Sequence, residues 1–183
     1  MINLNDALLA ALRQGDLDLS LNAMPATMPD DLQATPLLRD ELHVVARRGH
    51  PLLARRRFQL ADLAAAHWIL PGPGVAARQS IEGRFAERGL PPPHVAVEVS
   101  TTASQLSAML LQSDLLSLMG EAMLNSPDGK GLAALQFPGA RFVRSIGVVT
   151  RRDALLPPLA RRFLEILEQQ CKSGEYAPSK PTL

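Results

Sequence analysis

Three consecutive hydroxyl side chains stand where a predicted strand meets a predicted helix. Residues 95–99 alternate valine with Ala and Glu, and β-branched residues at every second position are typical of a strand. Ser100, Thr101 and Thr102 follow, and apolar residues at helical spacing begin at residue 103. Amides at a helix N-terminus carry a partial positive charge and attract carboxylates and hydroxyls. Ser100 and Thr101 are therefore candidate contacts for a small polar ligand.

The same residues have a purely structural alternative. Thr102 and Gln105 have the spacing of a capping box, in which the threonine hydroxyl and the glutamine side chain each accept a hydrogen bond from the other residue's amide. That cap would leave Ser100 and Thr101 free for a ligand. All three hydroxyls could instead only cap the helix, and the residues alone leave both interpretations open.

No spacing in the sequence is typical of a catalytic or metal site. There is no G-x-S-x-G elbow, and no H-E-x-x-H or C-x-x-C motif. The four histidines stand singly, at His43, His50, His67 and His94. Glu98 is expected to be an exposed strand residue paired with an arginine, rather than a pocket residue. We therefore predict that the chain is not an enzyme, and that it has no metal site and no cofactor.

Composition limits the possible partners and location. The 183 residues include 19 basic and 18 acidic side chains, a net charge of +1, so no overall field favours nucleic acid or a membrane surface. The one cysteine, Cys171, excludes an internal disulfide and fits a reducing compartment. Residues 1–12 lack a basic leader and are too short to span a bilayer. These features predict a cytoplasmic protein without a membrane segment.

Strands alternate with helices along the chain, which predicts an α/β fold with mostly parallel sheets. A helix is predicted over residues 75–88, with Ile81 and Phe85 on its inner side. An amphipathic helix is predicted over 157–171, and its inward residues are Leu159, Phe163, Ile166 and Leu167. Residues 71–74, Pro-Gly-Pro-Gly, interrupt regular structure and mark a predicted hinge. We predict lobe I from residues 1–70 and 145–171, lobe II from 71–144, and a flexible tail from 172–183.

The first predicted elements suggest that lobe I is incomplete at its N-terminal side. An amphipathic helix over residues 4–12 is followed by an alternating strand over 16–21, whose apolar residues are Leu17, Leu19 and Leu21. A parallel crossover has a strand before its helix, and none precedes this one. We therefore expect further elements upstream of residue 1.

Six segments in register carry a resemblance to a known family. They are ALRQGDLDLSL at residues 11–21, PLLRDELHVVARRGHPLL at 36–53, LADL with HWILPGPG within 60–74, RFAERGLPP at 84–92, VEVSTTASQLSAMLLQSDLLSLM at 97–119 and IGVVTRRDALLPPLARRFLEIL at 146–167. In this order and spacing they resemble the effector-binding domain of LysR-type transcriptional regulators. The resemblance extends over nearly the whole chain.

The resemblance implies a type 2 periplasmic-binding-protein-like fold, with two lobes joined by two hinge crossovers. It also implies that a small metabolite, such as an organic acid, binds in the cleft between the lobes. That binding would control DNA binding and transcription by the full-length protein through unequal affinity for two arrangements of the lobes. By position, the implied effector contacts are Asn22, Gly72, Gly74, Ser100, Thr101, Thr102, Gly120 and Glu121.

The resemblance implies partners as well. Members of the family bind DNA through an N-terminal winged helix-turn-helix that this sequence does not show, so we expect DNA contact only in a longer chain. A homo-oligomer, either a dimer or a tetramer, is expected too. The family's glycine-rich turn is replaced by QSDLLSLMG at residues 112–120, a less permissive loop. A solute-binding protein, or an enzyme acting on a small acid, is the alternative with the same architecture, because a fold does not fix function.

Overall fold

The structure is a computed structural model that describes residues 5–24, 28–55, 57–100, 103–138 and 140–172. The helices and strands of these ranges are, in chain order, α1 Asn5–Gln14, β1 Leu19–Ala23, β2 Leu32–Arg47, β3 His67–Leu70, α2 Ala76–Glu87, β4 His94–Glu98, α3 Ala103–Leu111, β5 Ser117–Gly120, α4 Glu121–Leu124, β6 Leu132–Ala134, β7 Arg141–Arg151 and α5 Pro158–Lys172. Short 3₁₀ turns span Pro51–Ala54, Leu60–Leu63 and Pro127–Gly129.

The chain divides into two compact units. Unit 1 consists of Met1–Asp40 and Arg144–Leu183, and unit 2 is Glu41–Val143. The predicted lobe boundaries, after residues 70 and 144, stay a prediction, and this division has its boundaries after residues 40 and 143. The chain changes unit inside β2 and inside β7, since each of these long strands contains residues of both units.

The Pro-Gly-Pro-Gly segment, residues 71–74, lies within unit 2, where it joins β3 to α2. Prolines and glycines end a strand, but they separate two units only where the flanking elements pack apart. Here Trp68 and Leu70 share one buried cluster with Phe85 of α2. The predicted tail, apart from Lys172 at the end of α5, lies outside the described residues.

Unit 2 contains the predicted strand–helix–strand segment at residues 95–120. β3 pairs in parallel with β4, from His67 opposite His94 to Leu70 opposite Glu98. A parallel bridge joins Trp68 to Leu116, immediately before β5. β5 and β6 pair antiparallel with β2. Unit 2 therefore has the predicted parallel strands, with α3 as the crossover between β4 and β5.

The core of unit 2 fixes α2 against β3. Trp68, Ile81 and Phe85 have no exposed side-chain area, and the rings of Trp68 and Phe85 meet edge to face with centroids 6.3 Å apart. Ile81 and Phe85 are four residues apart, so they lie on one face of the helix. This burial holds the N-terminus of α2 close to the end of β3.

Unit 1 differs from the mostly parallel sheet that was predicted for both lobes. β1 pairs antiparallel with β7, from Leu19 opposite Thr150 to Ala23 opposite Ile146. β7 continues into unit 1 from unit 2 as one strand. Leu12 of α1, Leu32 of β2 and Val149 of β7 form the buried cluster of this unit.

The apolar side of α5 is exposed, although the sequence predicted that it faces inward. Leu159 is 82% exposed and Phe163 is 50% exposed, and α5 has no buried residue. The amphipathic pattern correctly predicts the helix, but it does not say which element covers the helix.

Within the described ranges, no helix combines the length and the hydropathy that crossing a membrane requires.

An ion pair in unit 1 gives a pH-dependent prediction. Arg13 Nε lies 2.6 Å from Asp31 Oδ2 and Arg13 Nη2 lies 2.9 Å from Asp31 Oδ1. The hydrogen bond from the Arg13 guanidinium holds the pKa of the Asp31 carboxyl below its ordinary value. A carboxyl whose pKa is lowered by folding stabilises the folded state at neutral pH, and this contribution is lost as the pH falls through the folded-state pKa.

We expect Arg13→Gln to lower the urea midpoint at pH 7, and we expect its difference from wild type to shrink below about pH 4. The effect is small and salt-sensitive because both side chains are about half exposed. Circular dichroism at pH 7 and pH 3 measures it. Arg57→Gln, which removes an arginine without an ion pair in the described structure, is the control. A difference between Arg13→Gln and wild type that is independent of pH would contradict the prediction.

Candidate functional site

The carboxyl ends of three parallel strands meet at one edge of unit 2. β3 ends at Leu70, β4 at Glu98 and β5 at Gly120, and the Val99 amide donates to the Leu70 carbonyl over 3.0 Å. The strands lead into α2, α3 and α4, so the N-termini of these helices lie at the same edge. In open α/β sheets, ligands bind outside the carboxyl ends of the strands. We call this region the carboxyl edge and define it by the residues that follow the strands, 71–74, 99–100 and 120–121.

The carboxyl edge contains five of the predicted effector contacts, Gly72, Gly74, Ser100, Gly120 and Glu121. Ser100 is exposed, so its hydroxyl is accessible to a ligand. Gly120 is the N-cap of α4 with φ −66° and ψ 148°, and it offers no side chain. Thr101 and Thr102 lie outside the described residues. Binding at these residues stays a prediction.

Arg78 of α2 fixes the loop that forms one part of the carboxyl edge. Its guanidinium donates to Glu82 over 2.7 Å, to Glu98 over 2.8 Å and to the Pro71 carbonyl over 3.2 Å. The Glu82 hydrogen bond is the largest cause of a raised Arg78 pKa. Because two carboxylates surround it, Arg78 serves to tie β4 to the loop rather than to attract an anion. The prediction that Glu98 pairs with an arginine is confirmed.

Asn22 is the predicted contact in unit 1, and it is buried with unused hydrogen-bonding capacity. It is 3% exposed on β1, opposite Gly147 of β7. Neither Oδ1 nor Nδ2 of its amide has a hydrogen-bond partner in the described structure. Buried polar atoms are nearly always bonded, so an amide of this kind indicates a missing partner. It can donate one bond and accept another.

Ser20 shares this property, and the sequence analysis missed it. Its Oγ is buried and also has no partner among the described atoms, and it lies two positions before Asn22 on the same face of β1. The intervening Leu21 is 51% exposed. The alternating leucines predict that their own face of the strand is buried, whereas Ser20 and Asn22 on the opposite face are the buried residues. The available signal was the polar pair Ser20 and Asn22 at the same spacing.

Unit 2 also has a concavity of about 400 Å³ that includes none of the predicted contacts. It is lined by Gln59, Leu60, Ala61, Arg84, Arg88, Leu90 and Pro138. Arg84 already lies over the Phe142 ring, 5.2 Å from its centroid, and 3.5 Å from Glu87. These contacts indicate that the Arg84 side chain has a packing role.

Comparison with known proteins gives the family. Residues 2–172 match the family model described as the LysR substrate binding domain. The regulator GalR of Pseudomonas putida is 34% identical over 168 residues, which are 90% of this chain and 41% of GalR. The regulator CbbR of Xanthobacter flavus is 29% identical over 169 residues, 91% of this chain and 49% of CbbR. The chain thus spans half or less of each of these two relatives.

Solved structures show the fold. The CcmR regulatory domain of Synechocystis PCC6803, in complex with 2-PG, is 20% identical, with a TM-score of 0.80 over 96% of this chain and 82% of that one. The effector-binding domain of QuiR, in complex with shikimate, is 20% identical, with a TM-score of 0.78 over 93% of this chain and 79% of that one.

This chain belongs to the LysR substrate-binding domain family, as the resemblance implied. Its fold class is the predicted two-lobed, type 2 periplasmic-binding-protein-like one. The family and the named relatives are transcriptional regulators rather than enzymes, which agrees with the prediction of no catalytic activity.

Proposed function

We propose that this chain is the effector-sensing domain of a LysR-type transcriptional regulator, and that it binds a small organic acid at the carboxyl edge of unit 2. The observation that carries this proposal is the convergence of three strand ends and three helix N-termini at that edge, next to the exposed Ser100. Effectors of this size are bound by the similar domains of CcmR and QuiR, whose structures contain 2-PG and shikimate.

The chemistry of the carboxyl edge supports an acid rather than a cation at Ser100. α3 begins at Ala103, three residues after Ser100 in the chain. Unpaired amides and the helix dipole stabilise a carboxylate or a phosphate, and a serine hydroxyl adds one further donor. Arg78 is already neutralised, so the backbone and the hydroxyls supply the recognition.

Two finer parts of the proposal come from the family resemblance. One is that Asn22 also contacts the effector, with its unpartnered amide. The other is that the effector lies in an interlobe cleft, where it acts through unequal affinity for two arrangements of the lobes. In the full-length protein, this binding would regulate DNA binding through a winged helix-turn-helix, within a homo-oligomer in the cytoplasm.

Thermal shift against small carboxylates, phosphorylated acids and aromatic acids tests the proposal. A ligand at a hundred times its Kd stabilises the fold by about 2.7 kcal/mol, which raises the Tm by several degrees. Ser100→Ala removes a hydrogen bond to a charged group, so we expect it to weaken binding by about tenfold or more. Isothermal titration calorimetry measures the change in Kd.

Ser113→Ala is the matched control, because Ser113 lies just past the opposite end of α3 and donates to the Met109 carbonyl. We expect it to bind the acid as wild type does. The proposal is wrong if an acid binds wild type and Ser100→Ala equally well, or if amines bind and no acid does.

A further inference from the structure

Three side chains of metal-ligating type come together in unit 2, although the sequence predicted no metal site. One donor atom from each of Glu41, His43 and Glu121 lies within 4.8 Å of the other two. Glu41 immediately precedes Leu42, the first residue of β2 that pairs with β5, and His43 lies two residues further on, so both point to one face of the strand. Leu42 faces Gly120, so Glu41 and Glu121 each lie one residue beyond the last pair of these strands.

Neither carboxylate has a cation at hydrogen-bond distance within the described part of the chain. Arg141 Nη1 forms a long ion pair with Glu41, 3.9 Å from Glu41 Oε2, and His43 Nε2 also lies 3.9 Å from that oxygen. Both distances exceed that of a hydrogen bond. The Glu121 carboxylate has no hydrogen bond and no ion pair in the described part of the chain. Carboxylate oxygens within 4.8 Å of each other repel, so a bound cation would relieve this repulsion.

We propose that Glu41, His43 and Glu121 bind one divalent transition-metal ion of the Zn²⁺ type. Imidazole nitrogen with carboxylate oxygens is a donor set that such ions accept, and Ca²⁺ and Mg²⁺ prefer oxygen alone. At bond lengths near 2.1 Å, tetrahedral donors lie about 3.4 Å apart. The three atoms reach that separation by rotation of the two glutamate side chains, and water completes the coordination. The site stands independently of the proposed effector, although Glu121 is also a predicted effector contact.

The titration must exclude metal binding at a pair of histidines elsewhere in unit 2. His67 of β3 and His94 of β4 are both exposed, and their ring centroids are 4.5 Å apart, so they could bind transition metals at the surface. The experiment therefore uses the double variant H67Q/H94Q as its background. Metal-free protein in that background is titrated with Zn²⁺ by calorimetry and with Co²⁺ by visible absorption, without any effector.

We expect one Zn²⁺ per chain in the background protein, and at least tenfold weaker binding after His43→Gln or Glu121→Gln is added. Glu121→Gln keeps the test valid if His43→Gln does not fold. Glu121 is partly exposed, whereas His43 is only 8% exposed. Arg141→Gln removes a nearby positive charge, so it is expected to bind Zn²⁺ at least as tightly as the background does. Ser100→Ala is expected to keep full Zn²⁺ affinity, which separates this site from the effector proposal.

The proposal is overturned if the background protein binds no stoichiometric Zn²⁺. It is also overturned if folded Glu121→Gln binds as tightly as the background, or if Arg141→Gln binds more weakly. Circular dichroism of each metal-free variant establishes that it is folded. If Ser100→Ala no longer binds acids but still binds Zn²⁺, the metal site is supported independently of the effector site.

Discussion

Phe85→Ala is expected to lower the free energy of unfolding of unit 2 by about 3–5 kcal/mol. The Phe85 side chain is fully buried on α2 and meets Trp68 edge to face. Truncation loses the transfer free energy of the ring and leaves a cavity beside Trp68, which the close-packed core cannot fill completely. Domains are stable by about 5–15 kcal/mol in total, so this one substitution removes about a fifth or more of the stability.

Urea unfolding followed by Trp68 fluorescence measures the loss, because Trp68 is the one tryptophan in the chain and lies in the core of unit 2. Phe163→Ala removes the same atoms from a half-exposed position on α5 and is the matched control. We expect it to cost less than about 1 kcal/mol. Equal losses in the two variants would contradict the assignment of Phe85 to the core.

Local periodicity was enough to predict α2 and the residues that anchor it. The predicted helix over residues 75–88 corresponds to Ala76–Glu87, and Ile81 and Phe85 face inward as expected. Their four-residue spacing is a property of the helix itself, so no information from distant residues is needed. The strand–helix–strand arrangement at residues 95–120 was predictable for the same reason, because β4 and α3 are short elements with clear periods.

Pairing between distant segments could not be predicted in this way. The two-unit division at residue 40 depends on which strands pack with β2, and the proline and glycine run at residues 71–74 contains no information about that. The cluster of Glu41, His43 and Glu121 depends on the antiparallel register of β2 and β5, which joins segments far apart in the chain. The inward face of α5 was mispredicted because amphipathicity identifies an apolar face without identifying its partner.

The positions of the candidate residues in the fold were predictable in unit 2 and less so in unit 1. Ser100 and Gly120 follow strands whose patterns are clear, so their place at the carboxyl edge follows from the general rule for parallel sheets. Asn22 was taken from the family resemblance, and its neighbour Ser20 was overlooked because polar alternation gives a weak signal on a strand rich in leucine.

Gly129→Ala is expected to destabilise unit 2 by about 3 kcal/mol, the upper part of the range for overpacking. Gly129 ends the 3₁₀ turn Pro127–Gly129, and a Cβ there would overlap the backbone carbonyl of Leu124 at the end of α4. The turn cannot simply move away, because Asp128 accepts a hydrogen bond from Ser104 of α3 over 2.9 Å. Backbone on both sides must shift, and α4 begins at Glu121, so we also expect weaker Zn²⁺ binding.

Gly83→Ala is the matched control and has the opposite expected sign. A Cβ at Gly83 has no atom within 4 Å, and the residue is exposed in the middle of α2. Alanine restricts the unfolded chain and favours the helix, so the variant should be more stable by about 0.5–1 kcal/mol. Trp68 fluorescence in urea compares the two variants directly. If Gly129→Ala is as stable as Gly83→Ala, then the close contact between the 3₁₀ turn and α4 is not what positions Glu121.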